Sequence, residues 1–405
     1  MTPAPLRDDA TIRARTIAFE ETRVRRDEQD QITPRLLAAQ YLQRYRERGD
    51  AGDVLRAEAA ARLALRRAPR DVAALQELAA AQLTLHRFHD ALATVRTARR
   101  GAPVDTALAM SEASIDMELG DYAAAGAIVS RHGGGNRDGT GTTAARLAEL
   151  TGDLTRSRSL LARATRGADA TYGIPNERRA WFHVRLAELA FEAGDTDGAL
   201  REVTTALDRF PDDVQALTDG ARFSAALDRP SDARRFAERA VELTPSPENL
   251  GLLADARERL GDAAGAAAAR DQIVAVQRIG NAQHLVDRLL ALEYADHGTH
   301  LDDAYAIAKR ELAVRDDVFT EDTLAWTAAR AGHWREASEA SRRATAWNTA
   351  DARIWYHAGV IAEHAGDARR ALADYRHALG LNPRFAARFA GDARDRVARL
   401  ERDHV

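Results

Sequence analysis

With 405 residues, the chain is long enough for two or three globular domains of roughly 100 to 200 residues each. Its formal net charge is −4, with acidic and basic residues mixed along the chain, which argues against a nucleic-acid-binding groove. Cysteine is absent, so disulfides, thiolate zinc sites and a cysteine nucleophile are excluded, and any chemistry that requires a lysine amine is restricted to the single lysine, Lys309.

The amino terminus does not resemble a signal peptide, because Asp8 and Asp9 stand where its apolar core would begin. Nowhere does the chain hold the roughly 18 to 20 apolar residues in succession that a membrane-spanning helix needs. We therefore expect no membrane insertion and a cytoplasmic location. A periplasmic or secreted protein whose signal peptide had been removed would have the same sequence.

Between about residues 9 and 28, apolar residues recur at helical spacing, as at Ile12, Ile17, Phe19 and Val24. This pattern predicts one charged amphipathic helix that caps the amino-terminal end of the fold. Its acidic and basic residues would face water.

A period of 34 residues dominates the chain after this helix. Two pairs of prolines mark it, Pro69 with Pro103 and Pro211 with Pro245, each pair 34 residues apart. Within a period, two alanine-rich helical patterns are joined by a short turn, often Gly-Asp. Because one helical hairpin cannot bury its apolar face alone, the period predicts a single stacked array instead of separate globular domains.

The repeat pattern divides the chain into five predicted parts. Residues 1–37 are an amino-terminal tail and capping helix, and residues 38–137 are repeats 1 to 3. Residues 138–176 are a degenerate repeat and a flexible linker, residues 177–385 are repeats 5 to 10, and residues 386–405 are a carboxy-terminal capping helix.

Five glycines lie between His132 and Thr142. A phosphate-binding loop would need a lysine and a preceding strand, and this stretch has neither. We interpret it as a linker and place any hinge or subdomain break within residues 133–176.

The last repeat, ARIWYHAGVIAEHAGDARRALADYRHALGLNPRF, shows the most complete motif. It follows the spacing W-x2-L-G-x2-Y-x8-A-x3-F-x2-A-x4-P at Trp355, Ala358, Gly359, Ala362, Ala371, Tyr375, Ala378 and Pro383. The small residues would allow the two helices to cross closely.

In these positions the chain resembles a tetratricopeptide-repeat protein of the bacterial multi-repeat type, over about residues 38 to 385. The resemblance implies an all-α fold, an α-solenoid. That fold would be a superhelix of about ten helix-turn-helix repeats with terminal capping helices.

Two histidine pairs, His86 with His89 and His297 with His300, lie at predicted turns. A pair at this spacing could share a metal ion, but no third histidine or carboxylate lies in a matching frame. We interpret both pairs as solvent-exposed turn histidines. Since HExxH and G-x-S-x-G are also absent, we predict no metal site, no cofactor and no catalytic residues.

The first helix of each repeat lines the concave face in this family, so residues between its packing positions are the groove candidates. The repeat frame selects Trp181, Glu188, Arg222, Arg288, Asp322, Trp326, Arg330, Arg353 and Tyr356. The two tryptophans and one tyrosine have an alternative role, because large aromatic residues also fill the space between adjacent hairpins. For Trp326 and Tyr356 the two interpretations are balanced. As groove residues they would form a set with the nearby arginines, of the residue types enriched at binding hot spots.

The resemblance implies a non-catalytic protein- or peptide-binding scaffold or adaptor that uses the concave groove. The partner would be a protein or peptide of unknown identity, with an aromatic or aliphatic anchor and mixed charge. The alternative is a ligand- or peptide-sensing regulatory protein whose superhelix changes curvature on binding. Neither interpretation decides whether the chain forms a homo-oligomer.

Overall fold

The structure, a computed structural model, describes residues 8–132, 140–282 and 288–403. The predicted amino-terminal tail and residues 133–139 of the glycine-rich stretch lie outside these ranges. Over the described residues the chain is all-α, with 22 helices and no strand. The helices are α1 Asp9–Arg26, α2 Thr33–Arg48, α3 Ala51–Arg67, α4 Val72–Thr84, α5 Phe88–Gly101, α6 Thr106–Glu118, α7 Tyr122–His132, α8 Thr140–Leu150, α9 Leu154–Ala170, α10 Asn176–Glu192, α11 Thr196–Arg209, α12 Val214–Ala226, α13 Pro230–Leu243, α14 Pro247–Arg259, α15 Ala263–Ala282, α16 Arg288–His297, α17 Leu301–Leu312, α18 Val318–Arg330, α19 Trp334–Ala344, α20 Ala352–His364, α21 Ala368–Leu381 and α22 Ala390–Asp403.

Helices α2 to α21 form ten hairpins in chain order, which we number as repeats 1 to 10. The even-numbered helices are the first helices of the repeats and the odd-numbered ones the second helices. Repeats 1 to 3 pack each on the next, and so do repeats 5 to 10; α1 packs on α2 and α22 packs on α21. This confirms the predicted all-α solenoid of about ten repeats.

The Gly-Asp turns between the two helices of a repeat have a local physical cause. Gly194 and Gly366 adopt left-handed conformations, each with a φ of 79°, which a residue with a side chain adopts only at a cost. The aspartates that follow cap the second helices: Asp195 accepts a hydrogen bond from the main-chain N–H of Gly198, and Asp367 from that of Arg370. The glycine ends one helix, and the aspartate begins the next.

Small residues at the crossing of the two helices bring the backbones together. A Cβ atom added to Gly359 would lie 2.6 Å from the ring of Tyr375, and one added to Gly220 would lie 2.9 Å from the ring of Phe236. The two glycines occupy the same position in repeats 10 and 6. An aromatic ring of the second helix thus packs directly on the backbone of the first.

The chain divides into two compact units. One comprises residues up to 147 together with residues 166–179, and the other comprises residues 148–165 and residues 180 onward. The division falls between residues 147 and 180, which overlaps the interval 133–176 where we placed a break.

Several predicted boundaries are shifted in the structure. Helix α2 begins at Thr33, so the first repeat starts within the segment assigned to the amino-terminal cap. Helix α9 continues to Ala170, so within the predicted degenerate repeat and linker of residues 138–176 only residues 171–175 connect α9 to α10. The second helix of repeat 7 is long and continues to Ala282.

The two ends of the array are covered by apolar side chains of the flanking helices. In the amino-terminal unit, Ile17 of α1 is buried with Leu37 and Tyr41 of α2. In the carboxy-terminal unit, Phe389 and Leu400 are buried in the core of repeats 9 and 10. Each flanking helix therefore covers an apolar face that the last hairpin would otherwise expose to water.

Candidate functional site

The first helices form the inner layer of the carboxy-terminal unit. Helix α12 packs on α14, α14 on α16, α16 on α18 and α18 on α20, in addition to the packing within hairpins. In a curved two-layer array, the layer whose members lie closest together is the one on the inside of the curve. We call the surface formed by α12, α14, α16, α18 and α20 the concave face. Seven of the nine groove candidates lie on these helices, and Trp181 and Glu188 lie on α10.

Arg222 of α12 lies deep in the concave face but remains open to solvent. Its guanidinium donates to Asp219 at 2.6 Å and lies 5.3 Å from the ring centroid of Phe223. Burial disfavours the charged form, but the surrounding carboxylates, among them Asp219, Glu248 and Asp351, outweigh it and raise the pKa of Arg222. Even so, 40% of the Arg222 side chain is exposed. Arg222 is thus surrounded by carboxylates and partly exposed to solvent at the same time.

Asp219, the partner of Arg222, has no solvent exposure. Burial raises its pKa to about 6, although the positive charge of Arg222 acts in the opposite direction. One of its carboxylate oxygens, Oδ2, has no hydrogen-bond partner among the described residues. The concave face therefore holds a carboxylate that is only partly satisfied by its arginine.

Arg288, at the start of α16, is the least neutralised of the groove arginines. Its guanidinium lies 5.8 Å from the ring centroid of Phe319, and its buried Nε has no hydrogen-bond partner among the described residues. Burial lowers the pKa of Arg288, and the carboxylates of Asp317 and Glu311 offset this effect only in part. This position favours an additional hydrogen-bond acceptor.

Trp326 and Tyr356 come together with the two nearby arginines, as the repeat frame predicts, but both rings are buried. They are 3% and 4% exposed, with ring centroids 6.2 Å apart. Tyr356 stacks on Phe389 with the centroids 4.9 Å apart, and its hydroxyl donates to Asp392 at 2.7 Å. The observed environment of these two aromatic side chains is that of the packing alternative.

Asp296 of α16 joins the members of this set. It accepts hydrogen bonds from Trp326 Nε1 at 2.8 Å and from the guanidinium of Arg353. The side chain of Arg353 is 33% exposed. Arg330 is also an exposed residue, and its Nε donates to the main-chain oxygen of Ala295 at 2.9 Å. The arginines, not the aromatic rings, are the parts of this set that a partner can reach.

The other candidates have different partners. Asp322 is buried against His357, with Oδ1 3.0 Å from Nδ1 of the imidazole. Glu188 of α10 is paired with Arg185, and Trp181 contacts the ring of Phe182 edge to face, with centroids 5.1 Å apart. Trp181 and Glu188 thus lie on α10 and do not belong to the set around Asp296.

Two segments, residues 190–256 and 352–385, match family profiles described as tetratricopeptide repeat. The second segment coincides with helices α20 and α21, and the first spans α11 to most of α14. Both segments are tetratricopeptide repeats. Repeats of this kind support a protein-interaction role in general.

Solved structures similar to this chain include yeast Tom70, at 11% identity over 91% of this chain and 96% of that chain, with a TM-score of 0.35. Another is a tetratricopeptide repeat protein from Parabacteroides merdae, at 16% identity over 64% of this chain and 97% of that chain, with a TM-score of 0.36. No curated protein sequence matches the chain. Within the described ranges, none of the helices combines the length and apolar character that crossing a membrane requires.

The groove candidates selected from the sequence do not include a further charged cluster on the concave face. His297 lies at the end of α16, with Nε2 2.9 Å from Asp255 of α14 and Nδ1 3.1 Å from Glu293. Arg388, from the segment before α22, reaches Asp255 at 3.2 Å and His297 Nε2 at 2.6 Å. Among the described residues, no group of three or more acidic or histidine side chains is placed to hold a metal ion.

This cluster corrects our interpretation of the histidine pair His297 and His300. The side chain of His297 is 14% exposed and belongs to a helix, whereas that of His300 is 49% exposed at the following turn. Burial opposes the charged imidazole, but the bond to Asp255 and the carboxylate of Glu293 outweigh it and raise the pKa of His297. Burial also raises the pKa of Glu293 to about 7. Helical spacing from Glu293 to His297 was the available signal, since residues four apart share one helix face.

Proposed function

We propose that the protein is a non-catalytic scaffold that binds a polypeptide segment on the concave face of its carboxy-terminal unit. One observation carries this proposal: Arg222 and Arg353 lie on the inner helices and are surrounded by carboxylates, yet 40% and 33% of their side chains are exposed. Removing a charged group from water costs free energy. Arginines that lie among carboxylates on the inner helices and still expose a third or more of their side chains therefore favour a binding role over a purely structural one.

The chemistry of the concave face favours an extended segment with polar groups and mixed charge. Guanidinium groups held over aromatic rings, as Arg222 over Phe223 and Arg288 over Phe319, present their N–H donors in a fixed plane. Main-chain carbonyls and carboxylates of a bound segment would accept hydrogen bonds from them. Carboxylates such as Glu248 and Asp351, which act on Arg222, would take up the positive groups of the partner.

Arg222→Gln is the test, with Arg235→Gln as its matched control. Arg235 lies on the second helix α13, bonds Asp232 at the same spacing at which Arg222 bonds Asp219, and lies 5.3 Å from the ring centroid of Phe236, as Arg222 does from Phe223. The difference is its location, because the side chain of Arg235 is 72% exposed on an outer helix.

A displayed library of random short peptides, selected on the wild-type protein, supplies the probe. We expect Arg222→Gln and Arg353→Gln each to weaken the selected peptide about tenfold, the effect of losing one charged hydrogen bond, and Arg235→Gln to leave its Kd unchanged. Equal affinities for all four proteins would place the peptide elsewhere. Failure to select any peptide would count against a peptide-binding face.

The alternative function, a ligand-sensing regulator that bends at residues 133–176, stays a prediction. Part of that interval lies outside the described residues. A change in curvature on binding would favour it, measured as a change in radius of gyration with the selected peptide.

A further inference from the structure

The carboxy-terminal unit contacts itself at points far apart in the sequence. Gly152, in the turn between the helices of repeat 4, has a φ of 83° and lies so close to Asn348 that an added Cβ would clash with the Asn348 main-chain oxygen. Asn348 belongs to the loop between repeats 9 and 10. Next to this contact, the main-chain N–H of Ala350 donates to the main-chain oxygen of Glu149 at 3.3 Å.

A second contact of the same kind joins repeat 5 to the end of repeat 10. Asn382 is 1% exposed, and its Nδ2 donates to the main-chain oxygen of Phe191 at 2.6 Å. Gly194 lies in the turn of repeat 5, and a Cβ atom added to it would be 3.5 Å from the main-chain oxygen of Leu381. Again an asparagine of a later loop meets a left-handed glycine turn of an earlier repeat.

Both contacts relate repeats that are five apart, repeat 4 with the loop after repeat 9 and repeat 5 with the loop after repeat 10. In antiparallel hairpins the turns within repeats lie at one end and the loops between repeats at the other. A loop between repeats that touches a Gly-Asp turn within a repeat therefore joins the upper edge of one revolution of the superhelix to the lower edge of the next. The superhelix of this unit therefore completes about one revolution in five to six repeats, and successive revolutions touch.

We propose that these two contacts form a clasp that closes the side of the concave groove and controls access to it. An open solenoid admits a partner along the whole length of its groove. With adjacent turns in contact, a folded domain is excluded, and an extended polypeptide segment is admitted when the clasp opens. The identity of the segment rests on the proposed function, but the existence of the clasp does not.

The chemistry of the clasp fits a device that opens without unfolding the repeats. Its contacts include those of the main chain at Gly152, Gly194 and Ala350 and a side-chain hydrogen bond from Asn382. The hairpins on either side keep their own packing when these contacts separate, as α18 on α19 and α20 on α21. The clasp can therefore separate while the hairpins stay folded, which is the condition for a two-state element.

Gly152→Ala is the variant that should open the clasp, and Gly261→Ala is its control. Gly261 occupies the same turn position in repeat 7 with a φ of 82°, and an added Cβ there has nothing within 4 Å. Both variants carry the same left-handed strain. The steric conflict with Asn348 is added at position 152 alone.

The absence of cysteine allows two spin labels to be placed without background, at Thr155→Cys in repeat 4 and Ala346→Cys before Asn348, both exposed. We expect a single short distance between the two labels in the labelled parent protein and in its Gly261→Ala variant. In the Gly152→Ala variant we expect an additional, longer distance between them. An unchanged distance after Gly152→Ala, or an equal change after Gly261→Ala, would overturn the clasp. Thermal unfolding of each labelled protein shows whether it is folded.

The selected peptide then tests control of access. If only the open form admits the segment, the association rate rises with the open fraction, and we expect about a tenfold faster association after Gly152→Ala than after Gly261→Ala. A longer distance with unchanged association would refute control of access. A longer distance in a protein that binds no peptide would instead refute the proposed function and leave the clasp supported.

Discussion

The indole ring of Trp326 lies parallel to the imidazole of His357, with ring centroids 4.2 Å apart and an angle of 7° between the planes. His357 has no solvent exposure and is itself bonded to Asp322. The Trp326 ring therefore connects helices α18 and α20 within the core. A groove residue would present this ring to a partner, whereas here the neighbouring repeat covers it.

Trp326→Ala is expected to lower the free energy of unfolding by about 3–5 kcal/mol, the range for removing a large buried aromatic side chain. Denaturant unfolding followed by circular dichroism measures this loss. The folded fraction should keep the Kd of the selected peptide, because the ring is covered by protein. A variant that stays as stable as wild type and loses the peptide would show that the ring contacts the partner.

The close crossing of the helices in repeat 10 predicts that Gly359→Ala destabilises the protein. Alanine is the better helix former, but its Cβ would lie 2.6 Å from the Tyr375 ring, so overpacking should cost about 1–3 kcal/mol. Gly380→Ala, in the same repeat and with nothing within 4 Å, is the control and should be neutral or stabilising by up to about 1 kcal/mol. Equal effects of the two substitutions on the denaturant midpoint would contradict the crossing geometry.

The buried carboxylate of Asp219 should make stability fall as the pH rises. Its pKa is about 6 in the folded protein, above the ordinary value of 3.8, so the folded state holds this proton more tightly than the unfolded state. The stabilising contribution is complete below about pH 4 and is lost as the pH passes through 6. Asp219→Asn removes this titration, and the difference in unfolding free energy from wild type should change by about 2–3 kcal/mol between pH 4 and pH 7.

Asp232→Asn is the control for this pH dependence. It removes the carboxylate of the corresponding pair on α13, where the aspartate side chain is 48% exposed. We expect it to follow the wild-type pH profile. If the unfolding free energy of Asp219→Asn changed with pH as that of wild type does, Asp219 would not contribute to the pH dependence.

The sequence predicted the repeat architecture because each local signal recurs many times. One Gly-Asp turn is weak support for a hairpin, but Gly194-Asp195 and Gly366-Asp367 give the same turn and cap in repeats 5 and 10. Between residues 165 and 176 the Gly-Asp pair is absent, and there the predicted linker was too long. Helix α9 continues through Gly167 to Ala170, because neighbouring structure outweighs the low helix propensity of glycine there.

The candidate site was predictable in its helices but not in its contacts. The repeat frame places Arg222 and Arg353 on first helices, which the structure shows. It contains no information about curvature, and curvature is what brings Arg388 to Asp255, 133 residues earlier in the chain. Nor does residue type distinguish a tryptophan that packs between hairpins from one that lines a groove, so the role of Trp326 could not be decided from sequence.

The cluster around His297 yields a prediction that depends on this curvature. The groups that face the imidazole are Asp255 and Glu293, with Arg388 from the carboxy-terminal segment; Arg270 also bonds Asp255, and Asp296 acts on Glu293. Glu293→Gln removes a negative charge 3.1 Å from Nδ1 but keeps the main-chain oxygen of residue 293, which lies 2.9 Å from the same nitrogen. The imidazole should therefore stay in place, and the pKa of His297 should fall, since a carboxylate that favours its charged form is gone.

Proton NMR of the histidine ring signals against pH measures this change, with the His297 signal identified by its loss in His297→Gln. Glu258→Gln is the control, because Glu258 is bonded to Arg270 and its side chain is 59% exposed. A raised imidazole pKa contributes stability that is complete below the ordinary value of 6.5 and is lost as the pH rises through the folded value. In Glu293→Gln this loss should move to lower pH, and the loss of stability that comes from the raised pKa of Glu293 itself, about 7 in the folded protein, should disappear. If the His297 signal titrates identically in wild type and Glu293→Gln, the carboxylate does not act on the imidazole, and the arrangement of α14, α16 and Arg388 in solution differs from the one described here.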